Sequence, residues 1–269
     1  MRICVTNDDG VAAHGILTLA RRLRDQGHDV IVVAPQDDRS GSGTGLGRLA
    51  GGEDVRFVRR APLDDEIPMI TLDAPPAMCV VAALDGATGP RPDLVVSGIN
   101  HGPNLGFAVL HSGTVGAALT AQLAGVPGLA ISVGEPRTGA HGGILDDDAP
   151  VWLLAADLAA ALVTRVDSWG TRWVPNVNVP SGWDGSEPPV CARLARIGAI
   201  QVSAGDEDRA VIRITSSADL DAATPETGEW PVDVALNGAG RATVTPLSGV
   251  GTAAVEAAVV EELAAAVRA

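Results

Sequence analysis

The chain has 269 residues, 46% of them hydrophobic, enough to bury the core of one large domain or of one domain with an appended lobe. A formal charge of −14 excludes a protein that tracks a polynucleotide backbone, because that task needs a basic surface to displace counterions. The sequence contains no lysine, which also removes a lysine-based P-loop and any Schiff-base chemistry.

The stretch Arg2-Ile3-Cys4-Val5-Thr6-Asn7-Asp8-Asp9-Gly10 opens the chain as a short apolar run ending in two carboxylates and a glycine. It reads as a buried strand that delivers acids to its carboxyl end, the edge of an open α/β sheet where ligands bind. Adjacent side chains on an extended chain point to opposite faces, so Asp8 and Asp9 share one ion only if the strand has turned by Gly10. Two carboxylates so close repel, and a divalent cation is the simplest means of keeping both ionised. The same residues also suit an Asx turn, with Asn7 and Asp8 capping a helix that begins near Gly15, and both readings stay open here.

From Gly15 to Gly27, Ile16, Leu19, Ala20 and Leu23 recur at helical spacing, and Asp29 to Ala34 is a second continuous apolar strand. The opening is therefore a β-α-β unit with parallel strands, the start of a Rossmann-like sheet. Pro35 stops the second strand, and Gln36 to Gly45 follows as a glycine- and serine-rich loop. Its Gly-x-Gly pieces lack the place of a dinucleotide fingerprint, which follows the first strand and opens a helix. Such a loop either supplies a hydroxyl, such as Ser40, to a metal held near Asp8, or is a flexible linker.

Strands are expected at Val55–Val58 and Met69–Leu72 around an acidic bend at Asp64-Asp65-Glu66, then a helix over Ala77–Leu84 and a buried strand over Pro92–Ser97. Ser97 to Gly106 next puts Asn100 directly after that strand. The triplet Ser112-Gly113-Thr114 then opens an apolar helix, Val115 to Ala124. A helix N-terminus of this kind is a ready anion site, and Ser112 or Thr114 suits it equally as an N-cap. One more strand follows over Leu129–Val133.

In the second half, Ala149–Val166 has helical apolar spacing, and Trp173–Pro180 reads as a strand with Asn176 and Asn178 on one face. Hydrogen bonding between strands is the expected role of those two asparagines, ahead of support for edge loops. Strands are expected within Val190–Val202 and Ala210–Thr215 around an acidic hairpin tip, then a loop over Pro225–Pro231 and a closing amphipathic helix over Thr252–Arg268. His101 and His111 flank the proposed site and suit proton delivery to a leaving alkoxide, with loop hydrogen bonding as the alternative. His14, His28 and His141 are expected at the surface. Cys4, Cys79 and Cys191 have no metal-binding spacing and read as buried thiols of a reducing compartment. No apolar run reaches the length of a bilayer span and the chain opens directly on a strand, so a cytoplasmic protein without membrane contact is expected.

Together, Asn7-Asp8-Asp9-Gly10, Arg39-Ser40-Gly41, Ser97 to Gly106, Ser112-Gly113-Thr114-Val115, Asn176 to Pro180 and Val244 to Leu247 resemble the SurE family of survival proteins, in that family's order. The resemblance implies a divalent-metal-dependent phosphatase acting on nucleoside 5′- and 3′-monophosphates. It implies a Rossmann-like three-layer α/β core over residues 1–180. Residues 181–269 then form a β-rich extension, an arm exchanged within a homodimer or homotetramer, and a terminal helix. The family's metal ligands map to Asp8, Asp9, Ser40 and Asn100, and its phosphate-binding segment maps to Asn100, Ser112, Gly113 and Thr114. The chain departs from the family pattern at Met78, where an acid is usual, at Phe107-Ala108 in place of two acids, and at Leu119-Thr120 in place of Met-Glu. Those changes bear on substrate choice and subunit contacts.

The mapped residues also make chemical sense by themselves. Oxygen ligands, two of them anionic, suit one Mg²⁺ or Mn²⁺ per subunit better than zinc or copper. Such an ion polarises a phosphoryl group and activates water, Ser112 to Thr114 grip the spectator oxygens, and Asn100 bridges the two sites. Asp8 and Asp9 are both candidates for the base, and water rather than a protein group is the expected nucleophile. A phospho-receiver domain would need a lysine, and a dinucleotide-dependent oxidoreductase would need glycines at 7–9. A catalytically silent descendant that binds nucleotide or phosphate is the remaining alternative.

Overall fold

The structure is a computed structural model that describes residues 1–47, 54–134, 145–195, 200–204, 210–214 and 231–250. Strand β1 (Arg2–Thr6), helix α1 (His14–Asp25) and strand β2 (Asp29–Pro35) form the expected parallel β-α-β unit, with Ile3 opposite Val30. Strands β3 (Phe57–Leu63) and β4 (Ile67–Leu72) make an antiparallel hairpin whose second strand lies parallel on β2. Helix α2 (Pro76–Leu84) returns the chain across β1 to strand β5 (Leu94–His101), which pairs parallel on the other side of β1. This reversal opens a crevice between the carboxyl ends of β1 and β5, the switch point where α/β sheets bind ligands.

A short 3-10 helix (Gly106–His111), helix α3 (Gly113–Leu123) and strand β6 (Gly128–Val133) follow. Helices α4 (Val151–Val163) and α5 (Val166–Trp169) lead to strand β7 (Val174–Val179). Next come strands β8 (Val190–Cys191), β9 (Ile200–Ala204) and β10 (Ala210–Ile214), helix α6 (Asp233–Gly238) and strand β11 (Thr243–Leu247). Among the described residues the main sheet has nine strands in the order β3-β4-β2-β1-β5-β6-β7-β11-β8, while β9 and β10 pair antiparallel with each other.

Side-chain alternation along the strands divides the core into two layers. Ile3, Val5, Val30, Val32 and Val96 pack with Ile16, Leu19 and Leu23 of α1 and Trp152, Ala155 and Ala159 of α4. On the opposite face Cys4, Ile31, Val33 and Val95 pack with Cys79, Val80 and Ala83 of α2 and Ala117 and Ala121 of α3. The result is a three-layer Rossmann-like α/β core. Each large aliphatic side chain so enclosed contributes ~1.5–3 kcal/mol relative to exposure.

Several expectations change. The strand expected to end at Ser97 continues to His101 through a register shift against β6 between Ser97 and Asn100, and such an irregularity re-aims a side chain beside a site. The 149–166 helix divides into α4 and α5, and α6 appears where the sequence suggested no helix. Cys191 is exposed instead of buried, because β8 is a two-residue strand at the edge of the sheet. His14 is half-buried, its ring edge-on to Trp152 at 5.4 Å, and His28 is half-buried too. The acidic hairpin tip, His141 and the closing helix lie outside the described residues. Among the described residues no helix is long and apolar enough to cross a membrane.

Candidate active site

Beyond β1 the chain turns at Gly10, whose φ of +98° lies in the region that favours glycine, and Asn7 Nδ2 donates to the Gly10 carbonyl at 2.9 Å. The turn is thus closed by Asn7, while Asp8 does not cap α1: the residue before that helix is Ala13, with no side-chain cap. Asp8 points instead at the start of α3. Its Oδ1 accepts from Thr114 Oγ1 at 2.5 Å, and the nearby amides of Gly113 and Thr114 also favour its charged form. Burial raises the pKa of the Asp8 carboxyl, and these donors pull it back down. Asp9 is held more loosely, Oδ2 accepting from the His101 amide at 3.4 Å. Burial, then the charge of Asp8, pushes the Asp9 pKa up to about 7.

The serine-rich loop lies against this turn, because the Arg39 amide donates to the Asp8 carbonyl at 2.7 Å. Ser40 is exposed and its amide donates to Asp38 Oδ1 at 2.7 Å. Among the described residues no hydrogen bond ties its hydroxyl to Asp8, Asp9 or Asn100. Ser42, not singled out from sequence, comes closer: its hydroxyl is buried without a partner among the described residues and faces Gly113. A Cβ on Gly113 would fall 2.6 Å from Ser42 Oγ and 2.8 Å from Asp8 Oδ2, so only glycine fits there.

Asn100 sits half-buried past the β5 irregularity, its Nδ2 donating to the Gly102 carbonyl at 2.6 Å. That bond makes the side-chain oxygen the remaining ligand atom of Asn100. Ser112 is the N-cap of α3, its hydroxyl accepting from the Val115 amide at 3.1 Å. The fold therefore brings Asp8, Gly113 and Thr114 into direct contact and lays Asp9 beside the Asn100–His101 segment. Ser40 stays at the rim. His101 is a loop anchor, Nε2 accepting from the Leu145 amide at 3.2 Å, and His111 is exposed, with its carbonyl accepting from the Gly43 amide at 3.1 Å.

A second set of residues holds the loop between β5 and α3. Asn104 donates its amide to Asn178 Oδ1 at 2.7 Å and its Nδ2 to Ser132 Oγ at 2.9 Å. Its carbonyl accepts from Asn176 Nδ2 at 2.8 Å and Asn178 Nδ2 at 3.0 Å. The asparagines of β7 thus support the edge loop, not the interstrand ladder expected of them. Asp233 reaches the same loop, accepting the Gly106 amide at 2.8 Å. The residues flanking Asn104 gave no signal of this hub.

The profile of the family described as Survival protein SurE matches residues 3–204. A protein named 5′-nucleotidase SurE from Prochlorococcus marinus (strain MIT 9211) is 32% identical over 261 residues, covering 92% of this chain and 90% of its own. Another of the same name from Parasynechococcus marenigrum (strain WH8102) is 36% identical over 263 residues, covering 92% and 91%. The crystal structure of the SurE protein from Aquifex aeolicus superposes with a TM-score of 0.73 at 25% identity, over 98% of this chain and 100% of that one. With the carboxylate pair at the sheet's switch point and these likenesses along nearly the whole sequence, the chain belongs to the SurE family of survival proteins.

Proposed function

We propose that this protein is a phosphomonoester hydrolase of the 5′-nucleotidase type, which hydrolyses nucleoside 5′- and 3′-monophosphates to nucleoside and phosphate and depends on one divalent cation per subunit. The observation that carries the reading is the pair Asp8 and Asp9 at the switch-point crevice. Both acids have raised pKa values, and neither has an Arg partner among the described residues. Relatives named 5′-nucleotidase SurE that span over 90% of this chain support the same reaction class.

The residues present fit a hard cation. The candidate donors are the carboxylates of Asp8 and Asp9 with the neutral oxygens of Ser40 and Asn100. That composition suits Mg²⁺ or Mn²⁺. Asp8, Asp9, Ser40 and Asn100 would hold the ion. When bound it neutralises the carboxylate pair, polarises the phosphoryl group and lowers the pKa of a coordinated water. Asp8, fixed by Thr114, is the rigid member. Asp9, held by one long amide contact, is the freer member and the better placed to take a proton from the attacking water. Ser112, Gly113 and Thr114 would offer the N-terminal turn of α3 to the substrate phosphate, and Asn100 would serve both the phosphate and the ion.

The same reading makes the protein a cytoplasmic homodimer or homotetramer in which residues 1–180 form the catalytic core and residues 181–269 supply the subunit contacts. Phosphate release from a panel of nucleoside monophosphates, with and without chelator, tests the proposal on the parent and on Asp8→Asn. Metal-dependent release that collapses in the variant is expected. Equal rates in chelator would overturn the metal role, and release from no substrate would leave a nucleotide-binding protein without turnover.

A further inference from the structure

The carboxylate of Asp233 lies outside the stretch matched by the family profile, is completely buried and touches none of the residues assigned to chemistry. It accepts three amides: Gly106 on Oδ2 at 2.8 Å, and Ala195 and Val234 on Oδ1 at 2.9 and 2.8 Å. These amides come from three separate stretches of chain. Gly106 begins the 3-10 helix that ends at the Ser112 cap. Ala195 lies between β8 and β9 in the chain, and Val234 lies in α6, after β10.

The second and third of these stretches are themselves joined. The Arg193 amide donates to the Pro231 carbonyl at 3.0 Å, and the Asp233 amide donates to the Arg193 carbonyl at 2.9 Å. Apolar packing repeats the same three-way junction, with Leu105, Ala195 and Val234 in one cluster and Val232 against it. A carboxylate suits this position because three donors converge on it and no acceptor does; an amide of equal size would turn an NH₂ group toward one of them.

We propose that Asp233 is a positioning residue that latches the stretches Arg193–Ala195 and Val232–Val234 onto the loop carrying Gly106 to Ser112, so that this junction sets the nucleotide site. The kinetic half of this inference rests on the function proposed above; the structural half does not.

The test uses the full chain with Mn²⁺ and a nucleoside 5′-monophosphate, comparing Asp233→Asn with Leu105→Ala, which loosens the junction from its other side. Val163→Ala, a cavity in the distant α4 layer, serves as a control for lost stability. In both junction variants, hydrogen exchange should quicken together in the segments around Gly106 and Ala195, by about tenfold or more. For Asp233→Asn, kcat/KM should fall about ten- to a hundredfold, the scale of a small misplacement of reacting groups, while Val163→Ala stays within about twofold. The latch is overturned if the Gly106 amide keeps its protection in both junction variants, or if their kcat/KM falls no further than in the control. A parent enzyme that releases no phosphate from any nucleotide would sink the proposed function, and the exchange result would still decide the latch.

Discussion

Thr114 Oγ1 donates to Asp8 Oδ1 at 2.5 Å, joining the carboxyl end of β1 to the first turn of α3. The contact serves the site in two ways: it fixes the rotamer of the buried acid, and it favours the ionised form that burial opposes. Thr114→Val keeps the shape and removes the donor. Loss of a group that orients a metal-binding carboxylate costs about 10–100-fold in affinity or rate. The concentration of Mn²⁺ giving half-maximal phosphate release should rise accordingly, and Thr114→Ser should restore most of it. An unchanged metal dependence in Thr114→Val would separate Asp8 from the ion.

Asp9 supplies a pH signature. Its pKa rises from 3.8 to about 7, so between those values the folded chain holds a proton that the unfolded chain has released. Stability from this group is therefore fully present below the unfolded pKa and is lost as pH rises toward 7. In chelator, the melting temperature of the parent should fall between pH 5 and pH 8. Asp9→Asn should flatten that slope, at pH 8 gaining on the order of a few kcal/mol at most. Added Mn²⁺ should raise the melting temperature of the parent at pH 8 and leave that of Asp9→Asn nearly unmoved, because a bound cation stabilises only the form that holds it. Parallel slopes for both proteins in chelator would show that Asp9 is not the group titrating.

The parts of this site that were legible in sequence are local ones. The apolar run before Asp8 and Asp9, the helical spacing from Gly15 and the Ser112 cap all follow from periodicity and short-range hydrogen bonding. What stayed hidden depends on contacts between distant segments. Asn104 meets Asn178 across 74 residues, and Asp233 meets Gly106 across 127. Neither residue differs in local context from an ordinary loop asparagine or a helix-start aspartate. The closeness of Ser42 to Gly113 is equally invisible, since it depends on how the loop lies against the start of α3.

The Asn104 hub gives a prediction of its own. Asn178 both accepts the Asn104 amide and donates to its carbonyl, and all of Asn176, Asn178 and Ser132 are fully buried. Asn178→Ala leaves the half-buried Asn104 amide without its partner while the Asn104 carbonyl keeps Asn176, a cost of about 1–3 kcal/mol before relaxation. A loss of that order in chemical denaturation, with a raised KM for nucleotide, is expected. Unaltered stability would mean that the loop finds other partners.

Gly113 sets two effects against each other, and their magnitudes decide the sign. Inside a helix, glycine to alanine ordinarily stabilises by about 1 kcal/mol. Here the new Cβ would meet Ser42 Oγ at 2.6 Å and both Cβ and Oδ2 of Asp8 at 2.8 Å, below any normal van der Waals approach. Overpacking of that kind costs about 1–3 kcal/mol, so Gly113→Ala should destabilise and should move the carboxylate on which the proposed chemistry depends. Adding Ser42→Ala removes the closest of the three contacts and should recover part of the melting temperature. It leaves Asp8 displaced, so phosphate release should stay low in the double variant. Recovery of both together would place the strain at Ser42 alone and would detach Gly113 from the geometry of the acid pair.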